Sequence, residues 1–172
     1  MAKTLQEVRL ALAKLDPVHS GHWGKRFARQ WLNRNRWPFV NFDQGRTTMH
    51  QRLRKLGGKR PDFIIESGSE TDVIVADAKF ATTDNGKSFA MPDWEIEKYR
   101  QFKVFAESEV PGIKCEVLFM VFPKEFDGKK FVWIDLHEFS DGIAYEVRGH
   151  PGTQVSLENR PSLWEDNEDA TS

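Results

Sequence analysis

The chain carries a single cysteine, Cys115, among its 172 residues. One thiol supports neither an internal disulfide nor a cysteine-based zinc site. Its place in the apolar run CEVLFMVF (115–122) predicts a buried structural thiol. No apolar stretch approaches the length of a membrane span, and the opening MAKTLQEVRL has no signal-peptide core. These features suit a reducing, cytoplasmic setting, while secretion by a route without a signal peptide stays open. No phosphate-binding glycine loop, Ser-His-Asp arrangement, CxxC pair or internal repeat is present.

Acidic residues are also scarce, but only in one region. Between Lys25 and Arg60 lie Lys25, Arg26, Arg29, Arg34, Arg36, Arg46, Arg52, Arg54, Lys55, Lys59 and Arg60, against Asp43 alone. From Gly152 onward the balance reverses, with Glu158, Glu165, Asp166, Glu168 and Asp169 against Arg160. The formal net charge of -1 hides this segregation. A basic block interleaved with Trp31, Trp37 and His50 suits a polyanion, because phosphate contacts supply most non-specific nucleic-acid affinity. A set of solvated helix faces is the plainer reading of the same charges.

What is present is the makings of one ordinary globular domain, with 39% apolar and 30% charged residues. Residues 1–150 are expected to form it, and residues 151–172, rich in Pro, Gly, Ser and acids, to form a flexible acidic tail. Leu5, Val8, Leu12 and Leu15 recur at helical spacing, ending at Asp16-Pro17. A second, strongly basic helix is expected from about Ser20 or His22, with Trp23, Phe27, Trp31 and Leu32 as its apolar stripe. PFVNFD (38–43) reads as an edge strand, and TTMHQRLRKLGG (47–58) as a short helix capped by Thr47 or Thr48 and ended by Gly57-Gly58. Residues 81–92 read as an irregular loop, followed by a helix from Pro92 or Asp93 to Ala106. CEVLFMVF and KFVWIDL (130–136) read as paired strands, and GIAYEVR (142–148) as a further strand or hairpin arm. The expected architecture is α/β: a central mixed sheet of four or more strands flanked by helices.

The chemistry concentrates in KRPDFIIESGSETDVIVADAKF (59–80). Phe63-Ile64-Ile65 and Val73-Ile74-Val75-Ala76 flank a Ser-Gly-Ser turn, which predicts a β-hairpin. If Asp62 lies opposite Asp77, the turn centres between Ser69 and Glu70. Strand side chains alternate, so Asp77 and Lys79 share one face and Ala78 takes the other. One register thus gathers two carboxylates and an ammonium, a geometry for metal and phosphate.

Pro61-Asp62, Asp77-Ala78-Lys79, the preceding basic helix and the following helix with Glu95 and Tyr99 resemble the PD-(D/E)XK nuclease superfamily. The similarity covers about Ser20 to Ile134 and implies a restriction-endonuclease-like fold. It implies that Asp62 and Asp77 bind Mg²⁺ or Mn²⁺, with the Ala78 carbonyl as a further ligand, and that Lys79 acts at the scissile phosphate. Oxygen ligands of this kind suit hard cations rather than zinc. The resemblance implies a metal-dependent endo- or exonuclease, with DNA preferred over RNA. Lys25, Arg26, Arg29, Arg52 and Arg54 are the residues expected to grip the nucleic-acid backbone.

Two positions depart from the superfamily pattern. Glu95 stands where a glutamine or lysine is usual. Members commonly carry a glutamate on the first helix, whereas GKRFARQWL (24–32) places Ala28 after Phe27. Glu7 and Gln30 are the candidates to supply a carboxylate or hold a water instead. A non-catalytic nucleic-acid-binding or assembly module with a decayed site is therefore the rival reading, and a third is an interaction domain whose acidic tail recruits a protein partner. His19, His22, His50, Asp84, Asp93 and Glu97 could each approach the site, but surface, capping or helix-start roles explain them equally well.

Overall fold

Trp23, Phe27 and Trp31 fall on one side of the first helix of the computed structural model, which describes residues 20–42 and 49–167. That helix, α1, spans Ser20–Arg34. It buries Phe27, Ala28, Trp31 and Leu32 against the sheet, while Arg29 and Arg34 are exposed and Lys25 and Arg26 half-buried. Arg36 adopts a left-handed φ of 56°, which turns the chain into Pro38 and the short strand β1 (Phe39–Asn41). The opening segment with Glu7, and Thr47 and Thr48, lie outside the described residues.

The helix α2 (Gln51–Leu56) is capped by His50, whose Nδ1 accepts from the Arg52 N–H at 3.2 Å. Gly57 ends it with φ 74°, a conformation that glycine adopts without strain. The chain then forms β2 (Phe63–Ile65), β3 (Asp72–Ala81), β4 (Ser88–Pro92), α3 (Asp93–Glu109), β5 (Lys114–Pro123) and β6 (Lys130–Asp135). It closes with β7 (Ile143–Val147), β8 (His150–Ser156) and β9 (Trp164–Asp166).

Six strands form a mixed sheet in the order β1-β2-β3-β5-β6-β9, and β4-β8-β7 form a second, antiparallel sheet. The central pair, β3 and β5, is parallel, with β4 and α3 in the connection between them. All other neighbours in the large sheet are antiparallel.

The two-residue period of β3 divides the core. Ala76 and Ala78 join Phe63, Ile65, Met120, Phe122 and Phe131 under α1. Val75 joins Val117, Phe119, Val121, Ile134 and the α3 residues Ile96, Tyr99 and Phe102 on the opposite face. Asp77 and Lys79 therefore belong to the α3 face, beyond the point where β2 has ended. Cys115 is buried in that core, and burial pushes its thiol up to about 11, as suits an unreactive structural cysteine.

Two expectations are corrected. Residues 88–92 form β4 rather than loop, because Phe89 and Met91 alternate into the core. The stretch from residue 151 is built into the fold as far as Asn167 instead of forming a tail. Its glycine and proline content suggested mobility, yet Gly152 is a packing device. A Cβ there would lie 2.8 Å from the Met91 carbonyl oxygen and 2.9 Å from that of Tyr145, so the strands close only over glycine. Val155 and Leu157 are buried, and the Asn167 side chain bonds the Gly128 carbonyl at 2.9 Å. Among the described residues no helix is long and apolar enough to cross a membrane.

Candidate active site

The hairpin pairs Phe63 with Ala76, Ile64 with Val75 and Ile65 with Ile74. The register ends there, and the Asp62 N–H donates to the carbonyl of the same Ala76 at 3.1 Å, which leaves Asp62 beside Asp77 at the open end of the hairpin. Both carboxylates are buried, with 8% and 3% exposure. The Asp62 Oδ2 accepts the Ala78 N–H at 3.0 Å, as though the carboxylate continued the strand that stops there. Within a strand the N–H and C=O of one residue face the same neighbour, so the Ala78 carbonyl turns toward Asp62 as well.

Lys79 lies at the centre of the polar network. Its Nζ is 3.1 Å from Asp77 Oδ2, 2.5 Å from Glu95 Oε1 and 2.9 Å from the Tyr99 hydroxyl oxygen. The Tyr99 hydroxyl in turn donates to Asp77 Oδ2 at 2.5 Å. Glu95 also takes Lys59 Nζ at 3.0 Å, and Asp62 Oδ1 takes Lys25 Nζ at 2.9 Å. Three carboxylates and three ammonium groups thus form one chain, Lys25, Asp62, Asp77, Lys79, Glu95, Lys59, in which opposite charges are neighbours except where Asp62 meets Asp77. Glu95, the departure from the expected residue type, is the group that holds Lys79 in place.

The charges are strained in one place and matched elsewhere. Burial, and then the Asp77 charge, push Asp62 up to about 6, with Lys25 and the Ala78 N–H only partly opposing. Burial alone would lower the Lys79 pKa, but Asp77 and Glu95 outweigh it and hold the ammonium above its ordinary value. Burial likewise opposes ionisation of Glu95, yet Lys79 and Lys59 draw it below the usual carboxylate range. Burial and the neighbouring carboxylates keep Tyr99 well above its ordinary value, so its hydroxyl stays protonated.

These groups open into a cleft of about 620 Å³ whose lining includes Lys25, Lys59, Arg60, Asp62, Asp77, Ala78, Lys79, Trp94, Glu95, Arg148 and His150. Of the residues expected to grip nucleic acid, Lys25 lines it. Arg26 lies 5.3 Å over the Trp23 ring, Arg29 bonds Asn41, and Arg52 pairs with Glu109 at 2.6 Å. Neither Arg54 nor Gln30 lines the cleft, and the Gln30 Oε1 is buried with no hydrogen-bond partner among the described residues. Arg148 and His150, at the tip of the β7–β8 hairpin, carried no sequence signal, since some seventy residues separate them from Asp77.

Other candidates have local duties. His50 caps α2, Asp93 Oδ1 accepts the Thr153 hydroxyl at 2.7 Å, and Glu97 faces Arg100 and Gln101 on its own helix. Asp84 occupies a turn with φ 51°. Trp133 is stacked with Trp37, their centroids 6.0 Å apart, and Trp164 packs against Phe126 under the Lys130 ammonium. His19 lies outside the described residues, as does the His22 side chain.

The donor set fits a small, hard divalent cation. Among the described residues no group of three or more His, Cys, Asp or Glu side chains converges into a ready-made metal nest. Mg²⁺ asks for less, since it commonly binds through one or two carboxylates plus substrate phosphate and retained waters. Both contacts to Asp77 fall on Oδ2, and its Oδ1 takes no hydrogen bond among the described residues. Burial first, and the Asp77 charge second, raise Asp62, so a cation between the two carboxylates would favour the ionised pair. No family model matches the chain, and no curated protein matches it.

Proposed function

We propose that this protein is a metal-dependent nuclease that hydrolyses phosphodiester bonds in DNA, built on the restriction-endonuclease-like fold of the PD-(D/E)XK superfamily. The observation that carries the reading is the convergence of Asp62, Asp77 and Lys79 in one hairpin register at the floor of a cation-rimmed cleft. Asp62, Asp77 and the Ala78 carbonyl would hold Mg²⁺ or Mn²⁺. When bound, such a cation acidifies water and neutralises charge at the phosphate.

The remaining roles belong to side chains. Lys79 keeps its proton at neutral pH, because Asp77 and Glu95 stabilise the ammonium. It therefore serves as a fixed positive charge that orients the attacking water and offsets charge developing on phosphate, rather than as a base. Glu95 and Tyr99 are positioning residues: the first anchors Lys79, and the second anchors Asp77 and Lys79 together. Lys59, Arg60, Arg148 and His150 supply cationic or titratable contacts to the flanking strand. The preference for DNA over RNA rests on the superfamily resemblance alone.

One observation favours the rival, a nucleic-acid-binding module without catalysis on the same fold. α1 presents Lys25 rather than a carboxylate to Asp62, and no acid lies on Ser20–Arg34. Incubation with supercoiled plasmid and with single-stranded oligonucleotides separates the two. Nicks or fragments that need Mg²⁺ or Mn²⁺ and vanish in chelator support the nuclease. Salt-sensitive binding that persists in chelator, without cuts under any metal, supports the module.

A further inference from the structure

Where a carboxylate was expected on the first helix, the fold delivers an ammonium, and it does so by a close approach. A Cβ on Gly24 would lie 3.2 Å from the Phe80 nitrogen, 3.3 Å from the Lys79 carbonyl carbon and 3.4 Å from that of Ala78. α1 therefore rests directly on the backbone of β3 beside the site, and the next residue, Lys25, reaches Asp62 Oδ1 at 2.9 Å. The other oxygen of Asp62 is held by the Ala78 N–H at 3.0 Å. A divalent cation entering between Asp62 and Asp77 meets Lys25 on the oxygen it needs.

The three ammonium groups of the network differ in how firmly they are held. Lys79 has three partners and 17% exposure; Lys59 is tied to Glu95. Lys25 has Asp62 as its one ion-pair partner among the described residues, and its side chain is 36% exposed at the cleft wall. Its four-carbon stem is flexible, and it carries a compact charge that can turn between partners at small cost.

We propose that Lys25 is an exchangeable counter-ion. It neutralises Asp62 while no divalent cation is bound. When a cation takes Asp62 Oδ1, it swings toward the cleft mouth, where a substrate phosphate enters beside Lys59 and Arg60. The inference rests on the metal-site reading and adds to it the residue that controls occupancy. It also explains how a lysine is tolerated at this position: the positive charge occupies the metal's place only while the metal is absent.

The test labels lysines without DNA present. The full-length protein is treated with a limiting amine acylating reagent at fixed pH, in chelator or in saturating Mn²⁺, and each lysine is read by mass spectrometry. Lys25 should label at least about threefold faster in Mn²⁺, because its amine then leaves Asp62 for the open cleft mouth where reagent reaches it, while Lys59 and Lys79 stay on Glu95 and change little. Calorimetry supplies the second arm. Lys25→Met should bind Mn²⁺ about tenfold more tightly than wild type, about the effect of one adjacent opposite charge on a carboxylate. Mn²⁺ binding that depends on Asp62 but leaves Lys25 labelling and Lys25→Met affinity unchanged overturns the exchange and spares the metal site. Absence of Mn²⁺ binding in both proteins overturns both.

Discussion

Replacing Asp62 by asparagine should make the metal-free protein more stable at alkaline pH, although it removes an ion pair. Burial and the facing Asp77 raise the folded-state pKa of Asp62 from 3.8 to about 6. A carboxyl with a folded pKa above its unfolded value favours folding fully below about pH 4 and loses that contribution as pH rises through about 6. The shift of about two units amounts to roughly 3 kcal/mol of strain in the ionised form at pH 8. That shift already contains the opposing Lys25 attraction, and asparagine keeps an oxygen for the Ala78 N–H. The net gain is then about 3 kcal/mol, or roughly 6–12 °C in Tm for a domain of this size.

Thermal unfolding of wild type and Asp62→Asn in chelator, at pH 8 and at pH 4, measures this directly. The variant should lead at pH 8 and lose its lead near pH 4. Added Mg²⁺ or Mn²⁺ should raise the wild type alone, since mass action stabilises the state that binds. An asparagine variant that is equal or less stable than wild type at pH 8 in chelator would refute the reasoning. It would mean that Lys25 fully compensates Asp62 and that the carboxylate pair carries no stored repulsion.

Three further outcomes test other parts of the site. Glu95→Gln removes one of the two charges that raise Lys79, so the alkaline limb of the pH–rate profile should move to lower pH; an unmoved limb contradicts the anchoring role. Arg148→Ala should weaken oligonucleotide binding in chelator and reduce the slope of log affinity against log salt by about 1, whereas an unchanged slope removes the β7–β8 tip from the interface. Gly152→Ala forces a Cβ against two carbonyl oxygens and should cost about 1–3 kcal/mol in chemical unfolding, with faster proteolysis between residues 140 and 160; wild-type stability there would restore the expectation of a loose tail.

The hairpin was legible because its information is local. Two β-branched runs, a Ser-Gly-Ser turn and the alternation of strand side chains bring Asp62 to the open end of the hairpin near Asp77 and put Lys79 on the Asp77 face, without any tertiary knowledge. The network around it was less legible, for specific physical reasons. The role of Glu95 depends on how α3 docks over β3, which brings Tyr99 to Asp77 and the carboxylate to Lys79. The place of Lys25 depends on Gly24 meeting the β3 backbone, a contact that no periodicity reveals. Arg148 and His150 arrive through β4 pairing with β8, and both strands were hidden by composition. Gly and Pro in GHPGTQVS read as loop, yet Gly152 is there because the strands paired on either side of β8 approach it closely. The basic block was read by charge alone; in the structure most of its members lie on outer faces, and the cleft draws on Lys25, Lys59 and Arg60.

The central claim is that Asp62, Asp77 and Lys79 form a hydrolytic site, and single-turnover cleavage by wild type and Lys79→Met tests it most directly. Both proteins are assayed on the same plasmid in Mg²⁺ or Mn²⁺, with DNA affinity measured separately in chelator. Methionine preserves the stem and removes the charge. Wild type should cut, and the variant should cut about 10²–10³-fold more slowly, the loss typical of one transition-state-stabilising group, with DNA affinity little changed. A wild type that binds without cutting, or a variant that cuts at the wild-type rate, contradicts it.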